Sequence, residues 1–180
     1  MTDMGLHLEN LDERTRQHMV KELERDTANG KLYLSSRLNE QGKKEYENLL
    51  RQALQNGNDE TLAQRLRSGG LLRSTEEKQK RTGGVTMSRV PVTAAETLSE
   101  GEFNRFYIRG LCLRAIQDGI PELVIYRAKE VANPRPESQS KIGTTISAEA
   151  LLEDLRKHQG VDTALGLPAG PNSGLTVRLP

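Results

Sequence analysis

The sequence predicts an α+β protein: a helical N-terminal lobe, a small sheet with one packed helix, and an extended C-terminal arm. Three observations carry this. All seven prolines lie in the second half of the 180 residues, from Pro91 onward, so a proline-free front precedes a punctuated back. Apolar residues of the front recur at helical spacing. The best strand pattern, Leu123-Val124-Ile125-Tyr126, directly follows the longest helical stripe. Leu, Ile, Val and Phe together make 41 of the 180 residues, little more than a packed core needs.

Asn10 followed by Glu13 has capping-box spacing, so a first helix is expected from about residue 11, with Leu11, Met19, Val20 and Leu23 inward and a stop at Asn29-Gly30. A second helix starts near Asn39. Tyr46, Leu49, Leu50, Ala53 and Leu54 then fall at i, i+3, i+4, i+7 and i+8, the strongest stripe in the chain, and Gly57 ends it. Asn58 or Asp59 caps a short third helix carrying Leu62, Ala63 and Leu66, closed by Gly69-Gly70. Residues 1–70 therefore read as the helical lobe.

Residues 73–84 contain no apolar side chain and cannot offset the entropy of being ordered, so 71–84 reads as a charged linker or loop. Residues 70–93 hold five basic and two acidic side chains. Val85 to Val92 alternates as a strand with Pro91 near its end. Ser99 with Glu102 forms a further capping box, opening a helix through Phe103, Phe106, Tyr107, Leu111 and Ala115 to Asp118-Gly119. Pro121 leads into the 123–126 strand, which Arg127 to Val131 continue. Strand, helix, strand suggests a crossover with two parallel strands. Residues 133–146 read as a long loop, and Ser147 caps a last helix carrying Leu151, Leu152 and Leu155 up to Gly160. The mixed lobe spans 85–160 and the arm 161–180.

Charge and chemistry narrow the function classes. Twenty-six basic residues oppose 25 acidic ones, which removes any blanket attraction to nucleic acid or anionic membrane. No apolar run reaches the roughly 18–20 residues that span a bilayer, and the start lacks the basic-then-apolar order of a signal peptide, so no membrane association and synthesis in the cytoplasm are expected. His7, His18 and His158 are dispersed and Cys112 is the single cysteine, so no metal site and no cofactor are expected. Cys112, among apolar residues of a helix, reads as a buried thiol. Gly83-Gly84 precede a strand rather than a helix, and Ser173 in Asn172-Ser173-Gly174 lacks a nucleophile elbow. A strand-borne Glu-x-Lys nuclease pair is missing, since Arg127 stands two residues before Lys129. Arg105, Arg109, Arg114, Arg127, Lys129 and Arg135 alternate with acids and read as a surface laced by ion pairs. No enzyme is expected.

Two binding features remain. The arm is too apolar for an idle tail, and Leu165, Leu167, Pro168, Pro171, Leu175, Val177 and Leu179 are the candidate partner-binding residues, adding to a neighbour's sheet edge or groove. Lys78, Lys80, Arg81 and Arg89 are the candidate phosphate contacts of an alternative, a nucleic-acid-binding or regulatory protein.

The blocks Glu102-Phe-Asn-Arg-Phe-Tyr-Ile-Arg-Gly-Leu-Cys-Leu-Arg-Ala-Ile116 and Gly160-Val-Asp-Thr-Ala-Leu-Gly-Leu-Pro-Ala-Gly-Pro-Asn-Ser-Gly174 resemble a group of small proteins from tailed phages and prophages. The resemblance covers the second half and carries over no functional residue. It implies a structural or assembly role in a phage-like particle, capsid-associated or at the head–tail neck. The partners are then copies of the chain or neighbouring virion proteins, and the virion is the destination.

Overall fold

A computed structural model describes residues 5–160, 163, 165–168 and 173–180, and within them the chain is mixed α+β. The front is helical, as its periodicity requires: α1 is Glu13–Ala28, α2 Glu40–Asn56 and α3 Asp59–Ser68. Local chemistry sets the boundaries. The Asn39 side chain accepts from Gly42 N, and Asn58 and Thr61 form a reciprocal capping box. At α1 the expected cap shifts by two residues, because Asp12 rather than Asn10 accepts from Thr15 N. Asn10 is used elsewhere, its Oδ1 accepting from Leu179 N at 2.9 Å and so joining the two ends of the chain.

The charged segment is a hairpin, not a linker. Strand β1 (Thr75–Gln79) pairs antiparallel with β2 (Val85–Arg89). Gly83 and Gly84, at φ 91° and 83°, supply the left-handed backbone that reverses the chain over 80–84. Hydrogen bonding within the ribbon therefore orders residues that have nothing apolar to bury.

Helix α4 spans Ala94–Gln117 and starts five residues before the Ser99–Glu102 box. Ala94 and Ala95 are buried and favour the helix, a turn from Pro91 O to Ala94 N launches it, and Ser99 and Glu102 end up in its buried interior. The expected stop at Asp118-Gly119 holds.

The expected parallel crossover does not form. β3 (Glu122–Arg127) lies at the centre of an antiparallel sheet, between β4 (Thr145–Ser147) and β5 (Leu175–Arg178), while β2 is committed to β1. β3 ends at Arg127, where the expected extension to Val131 gives way to a bend. The predicted loop 133–146 contains α5 (Pro136–Lys141), with Pro136 at its first turn, and most of β4. Helix α6 (Ala148–Lys157) is capped by Ser147 as its sequence required.

One core joins these elements. It runs from Met19 and Leu23 of α1 through Leu50, Leu62 and the Phe103–Ala115 stretch of α4 to Ile125, Leu151 and Val177. Helices α1 and α4 approach closely: a Cβ on Gly110 would sit 2.5 Å from Met19 Cγ and 2.9 Å from Met19 N. Glycine there is a packing requirement.

Candidate functional site

The residues singled out from the arm are drawn into the chain's own fold. Leu167, Leu175 and Val177 are fully buried, and Leu179 packs on the core from a half-buried position. Their backbone is held as well. Asn104 Nδ2 donates to Leu175 O at 2.8 Å, and the Tyr107 hydroxyl donates to Val177 O at 3.1 Å. Pro168 is half-buried, Leu165 is exposed, and Pro171 lies outside the described residues. Leu175 and Val177, expected to enter a partner's groove, instead lie on β5, which completes the β4-β3-β5 sheet along an edge of β3.

The hairpin is the opposite case. Among the described residues, strands β1 and β2 pair with each other and with no other strand, so both outer edges are open there. Cross-strand register places Glu77, Gln79, Val85 and Met87 on one face, with Val85 50% and Met87 57% exposed; Val92, just beyond, is 93% exposed. Glu76 and Lys78 occupy the other face. One clasp holds it to the body: Arg37 donates from Nε (2.9 Å) and Nη2 (3.1 Å) to the two oxygens of Glu76, and the guanidinium holds that carboxyl below its ordinary value. The structure gathers Lys78, Lys80, Arg81 and Arg89 onto this one ribbon, all exposed and without an ion-pair partner among the described residues. The basic hinge of the sequence is thus a projecting arm.

A second cluster was read from sequence as surface and is interior. Arg109 is 2% exposed, donates to Glu22 Oε1 (2.9 Å) and to both oxygens of Asp26 (2.7 and 2.8 Å), and lies 4.9 Å from the Phe106 ring centroid. Arg156 of α6 grips the same Glu22 with two bonds, 2.8 and 2.7 Å, and Gln159 donates to Asp26. Burial alone would raise the Glu22 carboxyl, but the Arg156 and Arg109 guanidiniums hold it below the usual range. This network ties α1, α4 and α6 together and leaves its donors and acceptors satisfied. Beside it Cys112 is buried, and desolvation pushes its thiol well up, which suits an inert core residue.

Among the described residues no group of three or more His, Cys, Asp or Glu is placed to hold a metal ion, and no helix is long and apolar enough to cross a membrane. No family model, curated protein or solved structure matches the chain.

Proposed function

We propose that the protein is a structural or assembly subunit that acts by protein–protein contact, with the β1–β2 hairpin as its docking element and no enzymatic step. The single observation behind this reading is the ribbon itself. A two-stranded ribbon is marginal alone in water, and this one exposes Val85 and Met87 on one face and keeps two open edges. A partner can stabilise such an element by adding a strand to an edge or by covering the apolar face. The likeness of the 102–116 and 160–174 blocks to phage and prophage proteins supports a tailed-phage particle as the setting, at the capsid or the head–tail neck. The partners there are further copies of this chain or neighbouring virion proteins.

The test is a Val85→Asp/Met87→Asp double variant, compared with the parent by size-exclusion chromatography with light scattering. An oligomeric parent and a smaller variant with the same melting midpoint are expected. A parent that stays monomeric at high concentration, or an assembly indifferent to the double change, would remove the reading in its self-assembling form.

A second reading rests on a separate observation, the four cations of the same ribbon that have no ion-pair partner among the described residues. A two-stranded ribbon fits the DNA major groove, and Lys78, Lys80, Arg81 and Arg89 would serve the phosphates. Binding would weaken linearly in log–log with salt, and each lysine changed to alanine should lower the slope by about one. Absence of binding to single or double strands at low ionic strength eliminates it.

A further inference from the structure

The ladder of the hairpin decides which of its backbone groups are already used. At the base Val90 N donates to Ser74 O at 3.0 Å, and at the tip Lys80 N donates to Gly84 O at 3.1 Å. Bonded and non-bonded pairs alternate along an antiparallel ladder, so between these two ends the Glu76–Ser88 and Lys78–Thr86 pairs turn their N–H and C=O groups inward. Those of Thr75, Glu77 and Gln79 then point out from the β1 edge, and those of Val85, Met87 and Arg89 from the β2 edge. Among the described residues no other backbone group bonds them.

The two edges differ in what they can meet. A strand that pairs antiparallel with its own copy does so about a two-fold axis normal to the sheet, which sets one residue opposite its own image. On β1 that residue is Glu76, Glu77 or Lys78 in the central registers, and centring on Gln79 sets Lys78 against Lys80. Like charges directly opposite destabilise a sheet and guard an edge. On β2 the central residue is Met87. It faces Met87 of the copy, Val85 faces Arg89 and Thr86 faces Ser88, so no like charges are opposed. The ladder agrees: Val85, Met87 and Arg89 all present outward groups, so each of these facing pairs can exchange both hydrogen bonds. The next position of that parity is Pro91, which has no N–H, and the pairing ends with the strand.

We propose that the partner of the hairpin is a second copy of the chain, joined through the two β2 edges into one antiparallel sheet of order β1-β2-β2-β1 with Met87 at the two-fold axis. This rests on the reading of the hairpin as the docking element and adds the edge, the register and the occupant. The register carries the Gly83-Gly84 turn of each ribbon to the base of the other and places the two bodies at opposite ends of the sheet. Two marginal ribbons become four strands, and the exposed Val85 and Met87 of both copies form one stripe on one face. A head-to-tail contact of β2 on the next copy's β1 would repeat without closing, whereas the two-fold contact closes at two copies.

The test is made on the full chain. Its single cysteine, Cys112, is buried, so one added exposed cysteine reports the contact. With oxidised glutathione, Met87→Cys should give a disulfide-linked dimer, because a bonded pair on the axis has Cα atoms about 5.5 Å apart. Val85→Cys and Glu77→Cys should crosslink about tenfold less or weaker still, since the register holds each about 14 Å from its image. Met87→Pro and Glu77→Pro give a second measurement. These residues face each other in the ribbon and both N–H groups point outward, so neither change removes a bond inside the hairpin. In sedimentation equilibrium Met87→Pro should raise the dimer dissociation constant about tenfold or more, and Glu77→Pro should leave it unchanged. A monomeric parent, equal crosslinking at all three positions, or loss of the dimer in Glu77→Pro would each overturn the proposal. An oligomer that Val85→Asp/Met87→Asp dissociates and Met87→Pro does not would overturn this pairing while leaving the hairpin as the docking element. An oligomer indifferent to both would remove the docking reading as well.

Discussion

Tyr46 on α2 is fully buried, and its hydroxyl has no hydrogen-bond partner among the described residues. A buried hydroxyl left unpaired costs about 1–3 kcal/mol, so Tyr46→Phe should keep the packing and raise stability, read as a higher denaturant midpoint at unchanged slope. A lower midpoint would mean that the hydroxyl is paired in solution. Glu102 gives a pH signature. Its folded value of about 7 exceeds its ordinary 4.5, so the native state binds this proton more tightly than the unfolded chain. Its contribution is therefore full below about 4.5 and is lost as pH rises toward 7. Glu102→Gln should match the parent at pH 4 and exceed it by about 1–3 kcal/mol at pH 8; parallel curves across this range would refute the buried carboxyl. Legibility at this scale follows sequence distance. The caps Asn39, Asn58 and Ser147 act on residues three positions away and could be read directly. Arg109 finds Glu22 and Asp26 87 and 83 positions away, so its i, i+4 relation to Arg105 gave no hint that it was interior.

The elements divide between those specified by an apolar pattern and those specified by a neighbour. The α2 stripe and the β3 run carry their own burial, and both appear where their residues put them. β1, Thr-Glu-Glu-Lys-Gln, buries nothing, and its only structural cue was the Gly83-Gly84 pair that returns β2 beside it. β5 was legible as apolar but not as belonging to β3, because register with a strand about 50 residues earlier leaves no local trace. Two predictions separate the hairpin from β5. Replacing residues 75–89 by a short Gly-Ser link should change stability by no more than about 1 kcal/mol, because the ribbon adds nothing to the core. Leu175→Ala should cost about 2–5 kcal/mol, because it empties a fully buried site. Chemical denaturation of both variants checks the contrast, and a β5 change milder than the hairpin change would reverse the assignment of which segment belongs to the body.

At the scale of the molecule, α4 decides whether the front helices and the antiparallel sheet behave as two bodies or one. Its buried residues occur around the whole helix, from Phe103 and Phe106 to Ile108, Cys112 and Ala115, and it packs against α1, α3 and α6 while meeting β5 at Asn104 and Tyr107. A helix buried on all sides cannot leave one neighbour without exposing apolar surface to water, at about 25 cal/mol per Å². The salt-bridge network adds to this coupling, since removing α6 would leave Glu22 half-paired and removing α1 would strand Arg109 as a buried, unpaired charge. The thin apolar content is thus concentrated in one shared core, and the net charge of +1 owes its excess to the hairpin outside that core. Leu50→Ala in α2 and Ile125→Ala in β3 sit at the two ends of it, 0% and 4% exposed. Each should cost about 2–4 kcal/mol, and each should lower one and the same transition when helical signal and near-ultraviolet tyrosine signal are followed together. Two separate transitions in Leu50→Ala, with the helical and tyrosine signals no longer coincident, would show that α4 does not couple the two halves. Coincident curves would show that the front and back of the chain fold together around it.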